Sequence, residues 1–114
     1  MSDIGKLPNA ENARVDREKI VEYLLCRSHP DGYSKAAFFM QFGFTLKAWE
    51  ILADSLYKHG KTHHVVKVVE SAYGRRYNVD GPLETPSGLK PLVRTVWIIE
   101  ISSNAPRLIT AHPI

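Results

Sequence analysis

Residues 58–70 read KHGKTHHVVKVVE, and the fold turns on where a helical period gives way there to a strand period. Upstream, LKAWEILADSLYKH (46–59) places Trp49, Leu52, Ala53 and Leu56 at i, i+3, i+4 and i+7, one face of a helix. Thr45 offers an N-cap and Gly60 a natural stop. Downstream, THHVVKVVE (62–70) is rich in β-branched residues and reads as a strand, with His63 and His64 pointing to opposite faces. AYG (72–74) is a tight turn, and RRYNVDG (75–81) is a second strand. TPSG (85–88) has proline and glycine where a type I turn wants them. LVRTVWIIEI (92–101) is the longest strand and apolar on both faces, so it belongs in the middle of the sheet. SSNAP (102–106) turns the chain into a last strand, RLITAHP (107–113).

Working back from the transition, residues 1–15 read as a loosely ordered lead-in, broken by Pro8 and two asparagines. Asp16 caps a first helix, REKIVEYLLC (17–26), with Ile20, Val21, Leu24 and Leu25 on its apolar face. SHPDG (28–32) ends it, because the residue before a proline is steered away from helix. Ser34 then caps a short, nearly all-apolar second helix, KAAFFMQF (35–42), which Gly43 closes. Helices first and strands after argue for an α+β domain over residues 16–114: three N-terminal helices packed on a four-stranded antiparallel meander sheet.

At 114 residues the chain can bury one core, and the charged fraction of 24% is ordinary for a globular domain. Cys26 is the only cysteine, so no disulfide forms within the chain, and a reducing, cytoplasmic setting is expected. The polar start lacks the apolar core of a secretory leader, and TVWIIEI is far too short to span a membrane. The net charge of +3 is unevenly spread. Residues 1–57 hold seven Lys/Arg against eight Asp/Glu, and residues 58–114 hold eight against four. A basic second half admits a polyanion partner such as RNA, as it admits a plainly solvated basic surface.

Several residues carry chemistry. Lys35 follows Ser34 at the start of a helix, where a cation opposes the helix dipole. A phosphate held by Lys35, His29 and the free N–H groups would turn that conflict into attraction, and a lysine pointing into water would tolerate it. Arg75 and Arg76 stand next to Tyr77, with Tyr73 close by: basic residues among aromatics suit phosphate contact plus base stacking, and equally a solvated hairpin. Arg94 and Thr95 lie inside the central strand, where a charge needs a partner. Arg94 shares a face with Val96, Ile98 and Glu100, and either pairs with a carboxylate or grips a phosphate. Thr110 and His112 share a face of the last strand with Leu108 and meet Arg94 only in one register. His59, His63 and Cys26 lack the spacing of a zinc site, and no phosphate-binding glycine loop, nucleophile elbow or metalloprotease helix is present.

LPNAENARVDREKIVEYLL, HPDGYSKAAFF, YGRRYNVDGPL, LVRTVWII and PRLITAHP together resemble a bacterial domain family of unknown function over residues 7–114. The layout is in turn similar to the barnase–EndoU–colicin–RelE group of toxin nucleases. The resemblance implies polar site positions at His29, Lys35, Arg94, Thr95 and Thr110. It also implies an aromatic residue where His112 stands and often an arginine where Ala37 stands, and the chain departs from both. The expectation is a toxin-like, metal-independent ribonuclease without a cofactor. In it His29 serves as base or acid, Lys35 and Arg94 stabilise the phosphorane, and Thr95 and Thr110 position phosphate oxygens. A cognate antitoxin or immunity protein would be its partner. The rival is a non-catalytic interaction module of a bacterial two-gene pair, with Arg94 as a structural ion pair.

Overall fold

The computed structural model describes residues 5–114. The fold is α+β, with the helices before the strands. Helix α1 (Arg17–Lys19) is one turn that runs directly into a π-helical stretch, Ile20–Leu24. Helices α2 (Tyr33–Gln41) and α3 (Trp49–Thr62) follow. Strands β1 (Val65–Ser71), β2 (Gly74–Pro82), β3 (Leu92–Glu100) and β4 (Arg107–Pro113) form one antiparallel sheet in the order β1-β2-β3-β4. Neighbours in sequence are therefore neighbours in space, as short turns dictate.

Three boundaries differ from the sequence reading. Helix α2 begins at Tyr33, with Gly32 as N-cap and no side-chain cap from Ser34, so Lys35 is its third residue. Helix α3 begins at Trp49, after a turn in which the Ala48 N–H donates to Thr45 Oγ1 at 3.2 Å. It continues through Gly60 to Thr62. Gly60 is there for contact: a Cβ on it would sit 2.4 Å from Trp97 Cζ2, so its bare backbone lets the Trp97 indole lie against the helix.

Where a loose lead-in was expected, residues 5–15 are tied to the sheet at both edges. A bridge joins Lys6 to His64 beside β1, and another joins Arg14 to Arg107 at the start of β4. Between them a 3-10 turn, Ala10–Asn12, buries Ala10, and Leu7 is buried as well. Residues 1–4 lie outside the described residues.

The core sits between the helices and one face of the sheet. Leu24, Leu25, Phe39, Leu52 and Leu56 from the helical segments meet Tyr77, Val79, Val93, Trp97 and Leu108 from the strands. On β3 the odd-numbered residues face this core. The even-numbered ones, Arg94, Val96, Ile98 and Glu100, face the other way. Strand β4 carries a bulge, since Val96 pairs with Thr110 but Trp97 pairs with Leu108. One extra residue switches the pleat. Leu108 therefore turns into the core, whereas Thr110 and His112 turn to the face of Arg94, so Leu108 does not share their face as the simple alternation implies.

Candidate functional site

Tyr23 is the hub of the candidate site, and its placement begins with the backbone. The π-helical turn that contains it widens the helix by one residue per hydrogen-bonded ring, which re-aims the side chain. β4 is an edge strand, and the first two helices lie along it. From there the Tyr23 hydroxyl reaches Thr110 Oγ1 at 3.1 Å. Gly32 approaches so closely that a Cβ on it would lie 2.3 Å from the Tyr23 carbonyl oxygen. That contact sets the start of α2, and with it His29 and Lys35, against Tyr23.

The result is a ring of polar groups around one phenol. His29 meets the Tyr23 ring edge-on, centroids 5.1 Å apart. Lys35 Nζ lies 5.5 Å above the ring centroid and Lys19 Nζ lies 5.3 Å from it. Two ammonium groups and an imidazole thus converge on a half-buried aromatic whose hydroxyl is anchored on Thr110. Lys35 Nζ also donates to the Asp31 carbonyl at 3.3 Å, which uses one of its three N–H groups.

Thr110 continues the site onto the sheet. His112, two residues on, stands opposite Arg94, and Arg94 stands opposite Asp80. Arg94 donates from Nε at 2.7 Å and Nη2 at 2.8 Å to the two oxygens of Asp80. The bidentate hydrogen bond holds the Asp80 carboxyl below the usual carboxylate range and raises the Arg94 guanidinium above its own. A guanidinium has five N–H groups, so the fork on Asp80 leaves Nη1 and one Nη2 hydrogen for another acceptor. The pair is two-thirds buried or more, which preorganises Arg94 without using it up.

His29 is placed in the site, but its ring faces it with an N–H. Nδ1 accepts the backbone N–H groups of Asp31 at 2.9 Å and Gly32 at 3.0 Å. In the neutral ring the proton is therefore on Nε2. A ring held this way presents an Nε2–H donor, and not a lone pair, to its surroundings.

Thr95 belongs elsewhere. It is fully buried on the core face of β3. Its hydroxyl accepts from Trp97 Nε1 at 2.8 Å and bonds to His59 Nδ1 at 3.0 Å. His59 Nε2 faces two carbonyls, Val93 at 2.8 Å and Gly81 at 3.0 Å, so it carries the proton and Nδ1 accepts from Thr95. Burial pushes the His59 imidazole below its ordinary value, and the neutral ring fits every partner. With its single O–H given to His59 and its side chain fully buried on the core face, Thr95 is set apart from the residues around Tyr23.

The expected nucleic-acid trio is also split. Strand alternation puts Arg76 on the face of Arg94 and turns Arg75 and Tyr77 to the other. Tyr77 is buried in the core, and Arg75 pairs with Glu70 at 2.7 Å. Arg76 alone of the three stands exposed on the outer face, beside Asn78 and Lys67. Among the described residues no group of three or more His, Cys, Asp or Glu is placed to hold a metal ion. A cleft of about 150 Å³ at the C-terminal end of α3, lined by Ser55, Lys58, Thr62, His63, Glu84 and Lys90 among others, includes none of the predicted site residues.

Residues 6–114 match a family described as Domain of unknown function (DUF6883). The chain belongs to the DUF6883 family. No curated protein matches the DUF6883 chain. Among solved structures, a chain of the contact-dependent growth inhibition toxin–immunity protein complex from Klebsiella pneumoniae 342 has the same fold. The TM-score is 0.70 at 18% identity, over 88% of this chain and 98% of that one. At that identity the likeness carries the fold and leaves activity to be argued from the site. No helix among the described residues is long and apolar enough to cross a membrane.

Sequence reasoning missed Tyr23 and Lys19. Both sit in what reads as an ordinary amphipathic helix, IVEYLLC after REK, in which the π-turn carries Tyr23, whose hydroxyl meets Thr110 and whose ring Lys19 covers. A tyrosine within an otherwise aliphatic stripe was the available signal, since a buried hydroxyl needs a partner.

Proposed function

We propose that the DUF6883 domain is a toxin-type ribonuclease that cleaves RNA through attack of a ribose 2′-OH on the adjacent phosphate. The observation that carries the reading is the convergence of Lys35, Lys19 and the His29 N–H on Tyr23, joined through Thr110 to the half-free Arg94 fork. A phosphate on this strip meets cations from three elements, α1, α2 and β3, and hydrogen-bond donors fixed in place before it arrives. His29 Nε2–H and Arg94 Nη1 donate to the non-bridging oxygens. Thr110, held by Tyr23, supports the phosphate edge. The Lys35 ammonium protonates the leaving 5′-oxygen. The fold shared with a chain of a toxin–immunity protein complex supports the toxin class.

A cognate immunity protein or antitoxin is the expected partner, and a separate feature suits one. Among the described residues nothing pairs with the outer edge of β1 beyond Val65, whose N–H donates to the Gly5 carbonyl, and Val66, Val68 and Val69 are exposed. An unprotected apolar edge is a surface on which a partner's strand can pair.

The test is paired. The wild-type chain should degrade RNA, and should do so in excess chelator. Lys35→Ala should abolish cleavage while its stability stays within about 1 kcal/mol of wild type, the scale of the one ring contact and one hydrogen bond that the half-buried Lys35 makes. Wild-type protein that leaves every RNA intact would overturn the nuclease reading in favour of a non-catalytic interaction module. Full cleavage by Lys35→Ala would remove Lys35 from the site.

A further inference from the structure

We propose that His112 is the general base of this site. The inference rests on the ribonuclease reading and supplies the group that reading lacks, since His29 shows an N–H where a base must show a lone pair. His112 is in the opposite state. Its Nδ1 lies 3.1 Å from the carbonyl oxygen of Pro113. A carbonyl has no proton to give, so the hydrogen is on Nδ1, and the neutral ring keeps the bare lone pair on Nε2. The two histidines are thus sorted by their backbone partners into a donor, His29, and an acceptor, His112.

Position agrees with chemistry. The bulge in β4 turns His112 to the outer face, directly across from Arg94 and two residues from Thr110. The charged groups beside it are Arg94, directly opposite on β3, and Asp80 behind Arg94 on β2; the Lys19 and Lys35 ammoniums lie over the Tyr23 ring, whose hydroxyl reaches Thr110 two residues away. Asp80 is committed to Arg94 by both oxygens, so the carboxylate behind Arg94 is held as an ion pair. His112 is half-buried, open enough to meet a ribose and restrained by its strand.

The step balances as follows. His112 Nε2 takes the 2′-OH proton while the 2′-oxygen bonds to phosphorus. The bond from phosphorus to the 5′-oxygen breaks, and that oxygen leaves with a proton from Lys35. The products are a 2′,3′-cyclic phosphate and a 5′-OH. Solvent later takes the proton from the imidazolium and returns one to the lysine.

Two measurements on the full chain test this. Long-range ¹H–¹⁵N correlation spectra near neutral pH should show His112 protonated on Nδ1 and His29 on Nε2. An Nε2–H tautomer at His112 would overturn the proposal. In the second, His112→Ala should keep its fold by circular dichroism and bind a 2′-deoxy oligonucleotide about as well as wild type. Its RNA cleavage should fall roughly 10²–10⁴-fold, the acidic limb of its pH–rate profile should vanish, and added imidazole should restore part of the rate. Loss of oligonucleotide binding without imidazole rescue would make His112 a contact residue and sink the base assignment. A wild type that cleaves alongside a His112→Ala that cleaves equally well would end the assignment and leave the nuclease reading standing. A wild type that cleaves no RNA would end both.

Discussion

The two faces of the sheet carry the same kinds of residue and give them opposite roles. On the core face, Thr95 and His59 close a chain from the Trp97 indole to the Val93 and Gly81 carbonyls. On the outer face, Thr110 and His112 stand in the same strand register but keep unused valences toward solvent. A buried network is stable only when every donor and acceptor is matched, and among the described residues no buried side-chain polar atom is left without a partner. The outer face has looser terms. Its Arg94 is fixed by Asp80 with N–H groups to spare, and its histidine leaves a nitrogen bare. Residue type does not separate the two faces; saturation of hydrogen bonds does.

Exchanging each threonine for valine is the strongest way to break that comparison. Thr95→Val leaves His59 Nδ1 without a donor and Trp97 Nε1–H without an acceptor inside the core. Two orphaned groups should cost about 2–5 kcal/mol, read as a lowered denaturant midpoint. If Thr95→Val melts like wild type, the buried chain is not a structural network. Thr110→Val should cost only about 0.5–1.5 kcal/mol, because the Tyr23 hydroxyl it strands is half-buried and can turn to water. Its RNA cleavage should fall by far more than that loss of stability explains.

Acid sharpens the same contrast. Burial holds the His59 imidazole below its ordinary value of about 6.5, so between that value and its folded one the unfolded chain binds a proton that the native chain refuses. Stability should therefore be full above pH ~6.5 and decline as the pH falls below it. His59→Gln should shrink that dependence in chemical melts taken across pH 4–8. The Asp80–Arg94 pair acts lower, because a depressed carboxylate contributes stability above its unfolded value of about 4 and loses it as the pH falls through the folded one.

The smallest expected effect lies in the arginine pair. Arg76→Ala should flatten the slope of log affinity against log salt by about one phosphate's worth, since Arg76 shares the outer face with Arg94. Arg75→Ala, on the other face and paired with Glu70, should leave the slope alone. Equal effects from both would mean that RNA does not read the sheet by face.

The fold was largely legible. The apolar spacing of Trp49, Leu52, Ala53 and Leu56, and the β-branched run after Thr62, are local patterns, and short turns leave a meander as the simple way to join four strands. The site was half legible. Lys35, His29, Thr110 and Arg94 stand out as charge or polarity in places that have to account for it; the structure gathers the first three around Tyr23 and sets Arg94 opposite His112, two residues from Thr110. Thr95 looked equally promising, because a sequence does not show which face of a central strand meets helices. Arg75, Arg76 and Tyr77 looked like one surface because adjacency in sequence hides alternation in space.

Sequence alone determined the element order, the mixed class, the centrality of β3 and the sense that charge inside it needed a partner. These follow from periodicity, capping and desolvation, which act over a few residues. Tertiary structure alone decided the partners. The reach of Tyr23 from its π-turn to Thr110 joins segments 87 residues apart, and the contact of Gly32 with Tyr23 packs two helical segments together, whereas the backbone groups that choose the tautomers of His29 and His112 are their own chain neighbours in turns and strand ends that only the folded backbone fixes. The bulge in β4 shows the reason most plainly. Side chains on a strand alternate with period two, so one unpaired residue between Leu108 and Thr110 moves Thr110 and His112 from the core face to the side of Arg94. Nothing local in RLITAHP marks that residue; it is the fit of β4 to β3 and to the helices along its edge that puts it there.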